Sequence, residues 1–256
     1  MRTARGGADG MRPVPMISAH RGGAEIAPAG TMAAYRGALA QGADYLEFDV
    51  RSTADGTLVA YHEARVRPGR PVTAMRYAEL SRAAGYEVPT TAELLRLLTG
   101  RASAHIDLKD PAAGPAIMAQ ALDVMSPASV IVTTRDRAAA TAVKRAHPAV
   151  RVGLTIGGDL PDAVRHALRR VRHRRRLSRA AGWAAEVAAA QVDYAAVERR
   201  LASSGVLAEC RRSGLQTMVW TVNGDSDLRF WLTRRDVDVL VTDQPRRALE
   251  LRHPSG

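Results

Sequence analysis

GADYLEFDVRSTADGTLVAYHE, residues 42–63, is the stretch that decides how this chain is read. A strand sends successive side chains to opposite faces. In YLEFDV (45–50), Tyr45, Glu47 and Asp49 therefore share one face, and Leu46, Phe48 and Val50 the other. The short polar link ADGT (54–57) carries Asp55-Gly56, a strong hairpin signal, so LVAYH (58–62) reads as an antiparallel arm added to this strand. With Asp55 and Gly56 at the centre of a two-residue turn, opposed positions sum to 111 and Asp49 faces His62 directly, about 4.5–5.5 Å apart between Cβ atoms.

Outward from this stretch, strand-like and helix-like runs alternate. The strands are predicted at 16–20, 45–50, 104–109, 129–134, 151–156, 191–195, 215–222 and 237–242, with the hairpin arm at 58–62. Helices are predicted at 31–41, 91–99, 113–125, 136–146, 160–180, 198–212, 225–234 and 245–252. Repeated strand–helix order implies a parallel sheet covered by helices. Eight such units, with a short hairpin strand after the second, fit an α/β (β/α)8 TIM barrel, a fold of roughly 250 residues. A doubly wound open sheet is the competing architecture, but the first strand is not followed by a glycine-rich phosphate loop. Residues 1–15 read as a loose tail and 16–256 as one domain.

Composition narrows the function. The chain has 256 residues, 46% hydrophobic and 25% charged, too apolar for a disordered protein. Its apolar runs fall short of the roughly 18 residues of a membrane span. Cys210 is the single cysteine, which excludes an internal disulfide and a multi-cysteine metal site. MRTARGGADGMRPVPM lacks the apolar centre of a secretory signal, so the expected location is cytoplasmic. Met11 and Met16 are alternative starts. The net charge of +11 favours anionic partners, while an aromatic content of 4% disfavours a stacking platform for single-stranded nucleic acid. Lys109 and Lys144 are the two lysines among 37 basic residues. RHALRRVRHRRR (165–176) carries a dense arginine run; on a helix it could draw the protein weakly to anionic membrane surfaces, against the alternative of a solvated face. No specific nucleic-acid partner is expected.

The chemistry concentrates on the polar strand faces. In AHIDLK (104–109), His105, Asp107 and Lys109 share a face, opposed by Ile106 and Leu108. In a barrel the apolar faces pack under the helices, so both polar sets point inward. Three enclosed carboxylates, Glu47, Asp49 and Asp107, would repel one another and resist ionising. A divalent cation with oxygen preference removes that conflict; pairing with interior Arg or Lys is the competing arrangement. His62 beside Asp49 is placed to move a proton. His20-Arg21-Gly22-Gly23 ends the first strand, on the rim where barrel sites form. His20 offers a titrating base there, and Arg21 a planar fork for phosphate oxygens. Lys109 supplies a point charge to a phosphate or an internal ion pair, and the two roles are compatible. Trp220, on a face with Met218 and Val222, forms either a substrate wall or core.

In HRG (20–22), GADYLEFDVRSTADGTLVAYHE (42–63), HIDLK (105–109), VWTVN (219–223) and VDVLVTDQP (237–245), the chain resembles the glycerophosphodiester phosphodiesterase family. That family consists of TIM-barrel enzymes that use a divalent metal. The resemblance implies metal-dependent hydrolysis of glycerophosphodiesters to an alcohol and glycerol 3-phosphate, within lipid and glycerol metabolism, with Mg2+ or Ca2+. It implies His20 and His62 as the acid–base or nucleophilic pair and Glu47, Asp49 and Asp107 as metal ligands. Arg21 and Lys109 match phosphate-binding cations, and Trp220 a tryptophan near the substrate. Three departures stand out. A Pro-Glu-Asn-Thr motif appears here as Pro28-Ala29-Gly30-Thr31, a His-Asp pair as His62-Glu63, and the segment from His62 to Pro89 is short. The rival readings are a phospholipase D-like activity on lysophospholipids or sphingolipids, and a degenerate barrel that binds phosphodiesters without turnover. The released alcohol, the metal and the oligomeric state are not fixed by the sequence.

Overall fold

The structure, a computed structural model, describes residues 14–66, 69–157, 187, 189–202 and 204–253. The first thirteen residues of the predicted tail, the helix predicted at 160–180 and the arginine run at 165–176 lie outside the described residues.

The strands run in chain order as β1 (Met16–Ala19), β2 (Tyr45–Ser52), β3 (Leu58–Ala60), β4 (Arg65–Val66), β5 (Arg70–Pro71), β6 (Ser103–Leu108), β7 (Val130–Thr134), β8 (Arg151–Ile156), β9 (Tyr194–Glu198), β10 (Gln216–Trp220) and β11 (Val239–Thr242). The helices are α1 (Met32–Gln41), α2 (Tyr77–Ala84), α3 (Thr91–Leu98), α4 (Gly114–Val124), α5 (Arg137–Ala146), α6 (Ser204–Arg212), α7 (Asp225–Leu232) and α8 (Pro245–Arg252). Strands β1, β2 and β6 to β11 pair in parallel, and β1 bonds to both β2 and β11, which closes the sheet into the expected eight-stranded barrel. β3 pairs antiparallel outside the barrel, on β2. Among the described residues, no helix is long and apolar enough to cross a membrane.

The two-faced strand pattern sorts the core. Leu46, Phe48, Val50, Ile106 and Leu108 join the large cluster between the sheet and the helices. Tyr45, Ile131, Tyr194, Ala196, Met218, Val239 and Val241 fill a smaller cluster inside the barrel. The helices dock by short apolar stripes with ordinary caps. In α3, Thr90 and Glu93 form a reciprocal capping box, and Leu94, Leu95 and Leu98 are buried.

Several local expectations are corrected. The hairpin pairs Val50 with Ala60 and Arg51 with Val59, so opposed positions sum to 110. Its loop is Ala54-Asp55-Gly56, three residues long, closed by Thr53 N–H to Thr57 O at 3.0 Å, with Gly56 left-handed at φ 78°. The Asp55 carboxylate accepts from Thr53 Oγ1 at 2.6 Å and from Tyr77 N–H at 3.2 Å, which holds the longer loop in place. The residue opposite Asp49 is therefore Tyr61, whose N–H donates to Asp49 O at 2.9 Å, and not His62. β9 begins at Tyr194 rather than at residue 191, because Asp193 is drawn to Lys144 at 2.7 Å and to Val152 N–H at 2.8 Å. Its neighbour α6 starts at Ser204, later than predicted. β10 ends at Trp220, and Val222 packs into the outer core, off the face it was expected to share with Trp220. The helix α2 and the small β4–β5 ladder were not foreseen.

Candidate active site

The parallel register between β2 and β6 sets Glu47 beside His105 and Asp49 beside Asp107. Carboxylate oxygens of Glu47, Asp49 and Asp107 lie within 4.8 Å of one another. Glu47 and Asp49 are each only 3% exposed. Burial, then the adjacent Asp49 charge, pushes the Glu47 carboxyl up to about 8. The three acids thus raise the electrostatic conflict that their alternation in sequence implied.

Lys109 relieves part of it. Its Nζ stands 2.5 Å from Asp107 and 3.1 Å from Asp49. Burial pulls the ammonium down, but the facing Asp107 and Asp49 more than offset this and hold it charged, above the usual lysine range. The Asp49 contact is an ion pair without hydrogen-bond alignment: both Asp49 carboxylate oxygens are buried with no hydrogen-bond donor. Buried polar oxygens seldom lack a partner. Donor-free oxygens in a converging carboxylate cluster fit a divalent, oxygen-preferring cation. Glu47, Asp49 and Asp107 are the residues that can hold it.

The turn after β1 brings the other groups to the same rim. Arg21 sits at φ 50° and its N–H donates to Glu47 Oε2 at 2.8 Å. Gly22 follows at φ 79°, and a Cβ there would lie 2.8 Å from Tyr35 N, so only glycine fits this tight passage. His20 Nδ1 lies 2.6 Å from Asp243 Oδ1. Asn223 braces that carboxylate, donating Nδ2–H to Asp243 Oδ2 at 2.6 Å and accepting the Asp243 N–H at 3.0 Å. Burial disfavours the charged imidazole, but the Asp243 hydrogen bond and the Glu47 charge outweigh it and raise the His20 pKa. With Nδ1 held by Asp243, Nε2 is the ring nitrogen left to exchange a proton.

His20, Glu47, His62, Asp107, Lys109 and Trp220 all line one cavity, with about 470 Å³ of free space including its open mouth. Asp49 and Arg21 are not part of that wall; the Arg21 side chain keeps a buried Nε without a hydrogen-bond partner. His62 reaches the cavity although the hairpin register removes it from Asp49. The chain leaves β3 at Ala60, and Arg51 donates twice to the His62 carbonyl, at 3.1 and 2.8 Å. Its side chain is 41% exposed, with Nδ1 3.1 Å from Glu63. The altered segment Pro28-Ala29-Gly30-Thr31 is a backbone support: Gly30 N–H donates to Arg21 O at 2.7 Å, and Thr31 caps α1.

Sequence reasoning missed a buried relay. Ser18 Oγ meets His105 Nδ1 at 2.9 Å, His105 Nε2 meets Thr133 Oγ1 at 3.0 Å, and Thr133 donates to Asp107 Oδ1 at 3.3 Å. Burial pushes the His105 pKa down to about 4, so the ring is neutral and orients its neighbours. Asp243 was also missed, although Val239 and Val241 face inward and the same alternation points residue 243 to the rim. Arg135 lines the cavity as well, and nothing distinguished it among so many arginines.

The family model described as "Glycerophosphoryl diester phosphodiesterase family" matches residues 20–247. A glycerophosphodiester phosphodiesterase from Caldanaerobacter subterraneus subsp. tengcongensis is 23% identical over 94% of this chain and 99% of that one. The "Probable glycerophosphodiester phosphodiesterase 1" of Mycobacterium tuberculosis (strain CDC 1551 / Oshkosh) is 50% identical over 52 residues, and that match spans 20% of this chain and 19% of the relative's length. Among solved structures, a phosphodiesterase of Oleispira antarctica in complex with the product sn-glycerol-3-phosphate superposes at a TM-score of 0.68, with 17% identity over 93% of this chain and 97% of that one. With the matched region running from the His20 turn through the Asp243 rim, the chain belongs to the glycerophosphoryl diester phosphodiesterase family.

Proposed function

We propose that this protein hydrolyses glycerophosphodiesters to an alcohol and glycerol 3-phosphate, using Mg2+ or Ca2+ held by Glu47, Asp49 and Asp107. The observation that carries the reading is one cavity lined by Glu47, Asp107 and two histidines, His20 and His62, with the donor-free Asp49 carboxylate within 4.8 Å of those two acids. The Oleispira antarctica structure with its bound product supports the choice of substrate class. A cation bound at the acids supplies Lewis-acid polarisation of the phosphoryl group.

The remaining work falls to the chain's own side chains. Lys109, kept charged between Asp107 and Asp49, faces the cavity and draws the ester's anionic oxygens. Arg21 fixes Glu47 through its backbone N–H, while its side chain lies off the cavity wall. His20 Nε2 takes the proton of the attacking water, or of the neighbouring glycerol hydroxyl, whose attack leaves a cyclic phosphate that water opens to glycerol 3-phosphate in a second step, while Asp243 steadies the ring and its positive charge. His62, at the open side with Glu63 on Nδ1, protonates the departing alcohol. Trp220, its indole N–H tied to Ala196 O at 3.1 Å, forms a fixed wall for the organic part of the ester.

The test is turnover of glycerophosphoglycerol, glycerophosphocholine and a chromogenic phosphodiester before and after chelation. Hydrolysis that EDTA abolishes and Mg2+ or Ca2+ restores is the expected result. Undiminished rates in EDTA, or no hydrolysis of any ester with either metal, overturn the proposal. Faster release of choline from a lysolipid than from glycerophosphocholine would replace it with the phospholipase D-like reading.

A further inference from the structure

We propose that the wall formed by Arg135 and Trp220 makes the site select glycerophosphodiesters whose headgroup accepts hydrogen bonds, such as a polyol or a carboxylate-bearing alcohol, over those carrying a quaternary ammonium group. This rests on the hydrolytic reading above and names the substrate class within it.

Arg135 follows β7 directly, on the rim where the barrel strands run into their loops. Its guanidinium carbon stands 5.8 Å from the centroid of the Trp220 ring, and both residues line the cavity. Trp220 is the one Phe, Tyr or Trp among the described residues lining that cavity. The ring is pinned: its N–H donates to Ala196 O, and it packs against the inner apolar cluster. A trimethylammonium group has no N–H to donate and is recognised chiefly over aromatic faces. Here the open aromatic face already holds a guanidinium. The hydroxyl-bearing side chain of Thr155 lines the same cavity, and Lys109 adds a further cation. Guanidinium and ammonium groups are donors without acceptors. Such a wall favours hydroxyl or carboxylate oxygens on the ester's organic end, and its described residues form no aromatic cage for a methylated cation.

The experiment compares glycerophosphoglycerol with glycerophosphocholine. It measures kcat/KM in the metal-loaded enzyme, and relative binding by saturation-transfer NMR in the chelated protein, where esters are not turned over. The wild type is expected to favour glycerophosphoglycerol about tenfold in both measurements. Arg135→Leu, which clears the indole face, should bring the ratio to about one, and Arg135→Gln should give an intermediate ratio. Equal unfolding temperatures of the three proteins show that the fold is unchanged. Turnover with equal or choline-favouring ratios, or a ratio unmoved in Arg135→Leu, overturns the selectivity and leaves the hydrolytic reading standing. A binding preference without any turnover supports the selectivity and overturns the hydrolysis. Neither binding nor turnover of either ester overturns both.

Discussion

Between pH 6.5 and 8 the chelated protein should lose about 2 kcal/mol of unfolding free energy that the metal-loaded protein keeps. The source is Glu47. In the folded chain, burial and the Asp49 charge hold its proton up to about pH 8, against an ordinary value of 4.5. The folded state then binds that proton more tightly than the unfolded chain, so stability declines as pH rises from about 4.5 to about 8, by about 1.4 kcal/mol per unit. His105 acts in the opposite sense. Burial holds it neutral down to about pH 4, against an ordinary 6.5, so its contribution is lost as pH falls through that window. The two slopes cancel between about pH 4.5 and 6.5. Above 6.5 Glu47 is left, and one and a half units at about 1.4 kcal/mol each give about 2 kcal/mol.

His20, held above its ordinary value chiefly by Asp243 against the cost of burial, adds to the decline as pH rises past 6.5. Glu47 is one of the groups that raise it, so the difference between chelated and loaded curves reads the acid cluster together with its effect on His20. If Mg2+ or Ca2+ binds at Glu47 as proposed, the carboxylate should be ionised throughout the window in saturating metal and its slope should disappear. Urea unfolding at half-unit pH steps, in EDTA and in saturating metal, reads the difference directly. Asp49→Asn removes the largest charge acting on Glu47 and should shrink the chelated protein's decline. Parallel curves in EDTA and in metal from pH 6.5 to 8 would refute the reasoning, because Glu47 would then be either unperturbed or not a ligand.

The other predictions concern single side chains. His20→Ala and His62→Ala should each cost about 10²–10⁴ in rate, and His62→Ala, at a side chain 41% exposed, should leave the unfolding temperature unchanged by circular dichroism. Asp243→Asn should move the ionisation of His20 to lower pH in the profile of kcat/KM and cut the rate about tenfold to a hundredfold, whereas a merely structural role would leave the profile in place. Thr133→Val breaks the link from His105 to Asp107 and should weaken metal binding about tenfold by calorimetry. Asp193→Ala, which strips the part-buried Lys144 pair from the opposite end of β8, should cost about 1–2 kcal/mol in urea unfolding with kcat unchanged.

The architecture was legible because barrel strands obey a period of two with unusual clarity here. YLEFDV and AHIDLK each set acids against large apolar residues, and the structure places one set under the helices and the other inside. Boundaries were less legible where a side chain overrode propensity. Val192 continues an apolar run, yet Lys144 claims Asp193 and the strand waits until Tyr194. The acid cluster could be read because it lies on two strands whose faces are fixed by their own sequences. The relay through Ser18, His105, Thr133 and Asp107 could not, because it draws on three strands whose relative register appears only when the sheet closes. Arg135 was invisible for another reason: in an arginine-rich chain, one more arginine after a strand carries no signal until its distance to Trp220 is known.

The hairpin register shows how differently the two kinds of group are held. A slip of one residue should turn a strand side chain to the opposite face. The observed register does remove His62 from Asp49, yet His62 still lines the cavity. It escapes the rule because β3 stops at Ala60, two residues earlier, so the sheet's alternation no longer governs it. What governs it is Arg51, which projects from β2 and clamps the His62 carbonyl with two hydrogen bonds. The acids are thus fixed by sheet register, as a close cluster of like charges requires. The histidine at the mouth hangs on a side-chain clamp outside the strand ladder. Positions fixed by register tolerate no slippage, so the barrel strands carry the costly charges, and the part of the site that must admit and release an ester lies just beyond their ends.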